Sequence, residues 1–334
     1  MPTDPIPYIP MPSKTSAPVP PWDVFVLGRV CVDLYPSEIA TPIEEVVSFT
    51  KSIGGSAANV AVASARHGHQ VTLMTRTGDD PFGRYAKAQI GRFGIDTSHV
   101  SPVPEIATVL TFCEIFPPDR FPSYIYRKPT APDMMITAED VPLNEVRDAR
   151  IFWATTTGLS APPTYAAHIA AWAARGRRPN TILDLDYRPT FWPSEQAAHD
   201  AIDVALGHVS IAVGNERECR VAVGETDPHR AANALLERGV ELAIVKRGPE
   251  GVLARTRDET VEVAPIAVDV VNGLGSGDGF GGALCHGLLS DWPLTRTLEF
   301  ANAAGAIVAT RRECSTAMPT TAEVQQWVAE YARA

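Results

Sequence analysis

The stretch Val268-Asp269-Val270-Val271-Asn272-Gly273-Leu274-Gly275-Ser276-Gly277-Asp278-Gly279-Phe280 reads as a β-branched run, a glycine-rich turn and the start of an apolar helix. Glycines let a backbone reach positive φ and approach a ligand closely. A turn opening into a helix aims free N–H groups, and the positive end of the helix dipole, at one spot that favours an anion. Asp278 is out of place for simple anion binding, because its carboxylate would repel a phosphate. It fits if it removes a proton from a hydroxyl that attacks a phosphoryl group held by those N–H groups. The bland alternative is an aspartate capping a glycine-packed helix.

Strand-then-helix units of this kind recur along the chain. Apolar runs at residues 24–27, 71–74, 151–153, 181–183, 209–213 and 242–245 read as buried strands. Residues 55–67 form a small-residue helix closed by Gly68. Asp80-Pro81 and Asp227-Pro228 each supply an N-cap and an N1 proline for helices that stop near Gly94 and Gly239. Alternation of this type predicts a mostly parallel sheet covered by helices on both faces. Two segments break the rhythm, residues 39–53 and 107–127, which lack helical spacing and are rich in β-formers. They read as a small sheet projecting from the main domain. Apolar residues in 108–116 point to both of its sides, so one face is expected to close a ligand cleft and the other to meet a second subunit. Residues 1–21 are proline-rich with little apolar periodicity and read as a flexible or extended arm, leaving 22–334 as the main domain.

A length of 334 residues suits one large α/β domain with an accessory piece. The net charge of −10 argues against a nucleic-acid or anionic-membrane surface, and no stretch reaches the apolar length of a membrane-crossing helix. Five scattered cysteines without a CxxC pair read as reduced thiols in a soluble cytoplasmic protein. The histidines do not cluster at metal-ligand spacing. Residues 277–282 also fit GxGxxG, but too little chain follows to complete a dinucleotide-binding domain, and the chain has no GxxxxGK[ST].

Gly54-Gly55-Ser56-Ala57-Ala58-Asn59, together with Gly275-Ser276-Gly277-Asp278, resembles the two signatures of the PfkB/ribokinase-like carbohydrate kinases. The resemblance covers roughly residues 22–320, and four further pieces fall in family order. These are the first strand and its aspartate in residues 28–36, Asn215-Glu216-Arg217-Glu218, Val245-Lys246-Arg247-Gly248-Pro249-Glu250-Gly251, and residues 301–306 with 317–320. It implies a three-layer α/β/α fold with a β-sheet lid, and ATP and Mg²⁺ as cofactors; the homodimer through the lid is expected from the lid's second apolar face. The resemblance also assigns expected roles. Gly275, Ser276 and Gly277 form an anion hole, and Asp278 is the base. Asp33, Gly54, Gly55 and Asn59 hold sugar hydroxyls. Asn215, Lys246, Gly248, Gly251 and Asn302 lie on the ATP side. Glu218 orients magnesium through water; alone, Asn-x-x-Glu is a commonplace capping pattern.

Within the family, Asp184-Leu185-Asp186-Tyr187-Arg188-Pro189, Phe191-Trp192 and Tyr126-Arg127-Lys128 most resemble members acting on a keto-deoxy sugar acid of inositol breakdown. Members acting on 2-keto-3-deoxygluconate carry a related Asp-x-Asn-x-Arg stretch and are the nearest rival; ribokinase- and fructokinase-type members are further alternatives. An acid substrate needs a fixed cation, and Arg127 and Arg188 are the candidates, since a planar guanidinium matches a carboxylate. Asn272 stands where many members have an aspartate that helps bind a monovalent cation, and Glu313 where a glycine is usual. Both departures put potassium activation in question. A regulator that kept the fold and lost catalysis is the alternative of another class, against which the retained Asp278 and Glu218 argue.

Overall fold

A computed structural model describes residues 22–331. The proline-rich arm inferred for residues 1–21 lies outside the described residues. The main sheet is built from β1 (Val24–Leu27), β4 (Val71–Gly78), β5 (Val100–Val103), β8 (Ile151–Thr155), β9 (Thr181–Asp184), β10 (Ile211–Asn215), β11 (Leu242–Lys246), β12 (Val252–Arg255) and β13 (Thr260–Val263). Its order is β13-β12-β11-β10-β9-β8-β1-β4-β5. Every pairing is parallel except β11–β12 and β12–β13.

Strand β1 shows why both faces are covered. Val24 and Val26 point into one apolar cluster, Phe25 and Leu27 into another, and all four are fully buried. The helices Ser56–Arg66 and Ser276–Leu289 line the first cluster, whereas Pro162–Arg175 and Glu195–Leu206 line the second. Glycine allows the first pair to meet closely, since a Cβ on Gly282 would lie 2.2 Å from that of Ala63. The expected caps form: Asp80 accepts from the Gly83 amide at 2.7 Å and Asp227 from the Arg230 amide at 2.9 Å.

A second sheet, ordered β3-β2-β6-β7, consists of β2 (Cys31–Pro36), β3 (Phe49–Gly54), β6 (Leu110–Cys113) and β7 (Ser123–Ile125). Here the structure differs from the sequence reading. The stretch 28–36 is not the end of the first main-sheet strand; it breaks after Leu27, and Cys31–Pro36 crosses into the small sheet. Residues 39–48 form no strand and contain the short turn Ile43–Glu45. One face carries Asp33, Tyr35 and Cys113, all buried, and turns toward the main domain. The other carries Phe49, Phe112, Tyr124 and Tyr126, of which Tyr126 is 69 % exposed. No helix among the described residues is long and apolar enough to cross a membrane.

Candidate active site

The glycine turn delivers the expected helix start. Gly275 caps Ser276–Leu289 at φ +82°, a left-handed position that glycine adopts without strain. A Cβ there would also lie 2.8 Å from Cys314 Sγ. Ser276 Oγ donates to the Gly273 carbonyl at 2.9 Å and tightens the turn. The backbone amides of Gly277 and Asp278 find no protein acceptor among the described residues, as first-turn amides do. Lys246, at the end of β11, brings its ammonium to 3.0 Å from the point a Cβ on Gly277 would occupy. Free amides, a helix dipole and an ammonium thus converge on one anion-sized spot.

Asp278 sits at the rim of that spot. Asn59, from the first turns of Ser56–Arg66, donates its amide nitrogen to Asp278 Oδ2 at 2.8 Å. Burial, with Asp186 adding repulsion, pushes the Asp278 carboxyl up to about 6, against the bonds from Asn59 and Ser56 and the charge of Lys246. Burial also pushes neighbouring Asp184 up to about 7, with Asp186, Glu218 and Asp278 adding to it and Lys246 opposing. Ser56 Oγ donates to Asp184 Oδ2 at 3.2 Å. A carboxyl poised near neutrality beside an anion hole is suited to accept a proton during phosphoryl transfer.

Where β10 runs into the helix Glu216–Val223, Asn215 and Glu218 form a reciprocal capping box. The Asn215 amide donates to Glu218 Oε2 at 2.7 Å and the Glu218 amide to Asn215 Oδ1 at 2.9 Å. Glu218 Oε1 takes no part in the box. Among the described residues no group of three or more His, Cys, Asp or Glu is placed to hold a metal ion. A magnesium ion carried by triphosphate and water needs only an outer contact of the kind Oε1 offers. Gly248 (φ +55°) and Gly251 (φ +89°) form the turn between β11 and β12. Asn302 donates its amide to the Ala264 carbonyl at 2.9 Å, tethering the chain that leads toward the glycine turn.

Asp33 lies within β2, paired across the small sheet with Ser52 and Thr111. It accepts from Cys31 Sγ and Tyr35 Oη, both at 3.1 Å. The two glycines ahead of the helix are explained by neighbours. A Cβ on Gly54 would lie 1.9 Å from Asp33 Oδ2, and one on Gly55 (φ +96°) would lie 2.6 Å from the Arg29 carbonyl oxygen. Arg127 is 2 % exposed, and most of its donors are taken: Nε and Nη2 by Asp133 Oδ2 at 3.1 and 2.7 Å, Nη2 also by the Thr157 carbonyl at 3.3 Å, and Nη1 by Ser160 Oγ at 2.9 Å. Its guanidinium also stacks 4.4 Å from the Phe191 ring. Arg188 pairs with Asp186 at 2.9 Å and is about half-exposed. Sequence reasoning did not single out Arg29, which lies buried at the carboxyl end of β1 beside the same Phe191. The structure also ties the small sheet to the region behind the glycine turn, through Tyr35 Oη to Cys314 Sγ and Ser52 Oγ to Ser315 Oγ, each at 2.8 Å.

Free amides at a glycine-led helix start, with an ammonium and a poised carboxyl beside them, suit transfer of a phosphoryl group to a hydroxyl. The pfkB family carbohydrate kinase pattern matches residues 22–321, and the chain belongs to that family. It is 31 % identical over 318 residues to the 5-dehydro-2-deoxygluconokinase of Geobacillus kaustophilus, covering 93 % of this chain and 95 % of that protein. It is 30 % identical to the 5-dehydro-2-deoxygluconokinase of Clostridium tetani, covering 93 % and 94 %. Among solved structures it resembles a PfkB protein from Polaromonas sp. JS666, with TM-score 0.78, 26 % identity and coverage of 88 % and 98 %. A putative ribokinase II from E. coli in complex with ATP and Mg²⁺ shares the fold, with TM-score 0.84, 24 % identity and coverage of 92 % and 99 %.

Proposed function

We propose that this kinase phosphorylates the terminal hydroxyl of 5-dehydro-2-deoxy-D-gluconate, the sugar acid of inositol catabolism, with ATP as donor. The observation that carries the reaction is Asp278 held by Asn59 against the free amides of the glycine turn. The substrate follows from relatives of that name over nearly the whole chain, and from a site rich in arginine. The substrate hydroxyl passes its proton to Asp278 while its oxygen bonds to the γ-phosphorus. The bond from that phosphorus to the β,γ-bridging oxygen breaks, and ADP leaves. The amides of the turn and Lys246 meet the charge on the transferred group. Magnesium, when bound with ATP, neutralises phosphate charge, and Glu218 is the residue that would orient it through water. Asn59 Oδ1 and Asp186 Oδ2, buried acceptors without a partner among the described residues, match donor hydroxyls of a sugar.

Potassium is not part of this reading. Asn272 Nδ2 donates to the Arg312 carbonyl at 2.7 Å, and its Oδ1 accepts from the Leu274 amide at 3.0 Å, so an amide already bridges the two loops. Equal rates in potassium and sodium are expected, and strict potassium dependence would refute this. The small sheet acts as the lid over the sugar, and two copies pair through its outer face. Five unpaired, buried cysteines support a cytoplasmic location. An ATP-coupled assay over ribose, fructose, 2-keto-3-deoxygluconate and 5-dehydro-2-deoxygluconate tests the substrate. The highest kcat/KM is expected for the last; a higher value for either neutral sugar sinks the sugar-acid reading, and one for 2-keto-3-deoxygluconate replaces the substrate within it.

A further inference from the structure

Three arginines and three carboxylates meet where the small sheet joins the main sheet, and their pairing is uneven. Asp133 and Asp186 each give one oxygen to an arginine, Asp133 Oδ2 to Arg127 and Asp186 Oδ1 to Arg188; the second oxygen of each is buried with no partner among the described residues and makes no bond to Arg29. Asp33 accepts from Cys31 and Tyr35. Arg29 is 6 % exposed, and its Nε and Nη1 have no hydrogen-bond partner among the described residues. A buried guanidinium left without acceptors is costly, because desolvation is not offset. Cation–π contact with Phe191, 5.6 Å from the guanidinium carbon to the ring centroid, covers one face of the group and leaves its N–H edge unsatisfied.

The backbone holds this residue in place. Gly55 adopts φ +96° against the Arg29 carbonyl, where any side chain would collide. Gly54 likewise makes room for Asp33. The glycine pair therefore fixes one cation and one carboxylate side by side at the carboxyl edge of the sheet, where open α/β folds bind ligands. Burial works against the charge on Arg29, but Cys31 and the carboxylates of Asp133, Asp186 and Asp33 hold its pKa above the ordinary value, so it stays cationic.

We propose that Arg29 receives the carboxylate of the substrate, with Arg127 as a wall braced by Asp133 rather than the anion's partner. The proposal rests on the sugar-acid reading above and assigns the group that enforces it. A carboxylate supplies the acceptors that Arg29 lacks, and a neutral sugar leaves them missing. Discrimination against an uncharged analogue is strong when the site's buried donors are left unpaired.

The test compares kcat/KM for 5-dehydro-2-deoxygluconate and for its primary amide in the wild type, Arg29→Gln and Arg29→Lys, with ATP affinity as a check on folding. The wild type is expected to prefer the acid. Arg29→Gln is expected to lower that preference by about 10- to 100-fold, mainly through KM for the acid, with Arg29→Lys intermediate. If both variants keep the wild-type preference, or lose activity equally on acid and amide, Arg29 only balances the neighbouring carboxylates and the proposal is overturned while the sugar-acid reading stands. If Arg29→Gln does not fold, Arg29→Lys decides alone, with an unchanged acid preference counting against the proposal. A wild type that shows no preference for the acid overturns the reading and this proposal together.

Discussion

The side-chain amide of Asn59 donates to Asp278 Oδ2 at 2.8 Å, joining the first turns of the two helices that open at Gly55 and Gly275. One oxygen of the proposed base is thereby fixed, and the other is left to meet an incoming hydroxyl. Asn59 keeps its own Oδ1 without a partner among the described residues, available to the same ligand.

Asp278→Asn preserves shape and removes only the basic oxygen. Turnover is predicted to fall by about 10²- to 10⁴-fold while ATP still binds. Calorimetric titration with ATP and steady-state kinetics check both halves. A variant with near-normal kcat removes Asp278 from the role of base.

The pH dependence follows from the same carboxyl. Since burial and Asp186 bring Asp278 up to about 6, kcat/KM should fall as pH drops through that value. Asn59 pulls in the opposite direction, so Asn59→Ala should move this acid limb to higher pH. Stability has the reverse sign. The folded pKa lies above the ordinary aspartate value of 3.8, so the folded state binds the extra proton and loses stability as pH rises from about 4 to 7. Asp278→Asn should therefore raise Tm at pH 8 and flatten its slope across that window. The gain is about 1–2 kcal/mol, below the full shift because the side chain is partly open to solvent. A slope identical to wild type contradicts the assignment.

Gly54→Ala would place its methyl 1.9 Å from Asp33 Oδ2, so the carboxylate must swing away. Sugar KM is predicted to rise at least about tenfold, the equivalent of one lost charge-assisted hydrogen bond, while ATP affinity holds. Equal weakening of both ligands would instead indicate a general loss of structure.

Pairing through the small sheet is predicted from its outer face, where Phe49, Phe112 and Tyr126 form an edge-to-face row beside Tyr124. Sedimentation should show a dimer at micromolar concentration, and Tyr126→Lys should shift it toward monomer. A monomeric wild type would remove the pairing.

Six of the nine main-sheet strands were legible as apolar runs and two helices announce themselves by Asp-Pro, whereas β5 (Val-Ser-Pro-Val), β12 and β13 (Thr-Val-Glu-Val) were not, β5 and β13 because exposed residues interrupt them. The strand Cys31–Pro36 was hidden because the apolar run from Val24 passes through Gly28 and Arg29 with no turn signal. Asn215 and Glu218 carried a capping and a metal reading at once; the capping bonds are formed, and a single free oxygen is what remains for the other role. Arg29 had no local mark at all. That its donors go unmet depends on how Arg127 with Asp133 and Arg188 with Asp186 fold around it, and these pairs come from two distant stretches of the chain.

The bonds from Tyr35 to Cys314 and from Ser52 to Ser315 span the boundary between the sheet that carries Asp33 and the segment packed behind Gly275. Whatever settles one half then biases the other, and such bias is reciprocal: if the sugar acid tightens ATP by some factor, ATP must tighten the sugar acid by the same factor. The mutual tightening of the two substrates is thus a shared property of this seam. Tyr35→Phe, which cuts one of its links, should bring that factor closer to one, and a coupling unchanged by the substitution would show that the seam does not carry it.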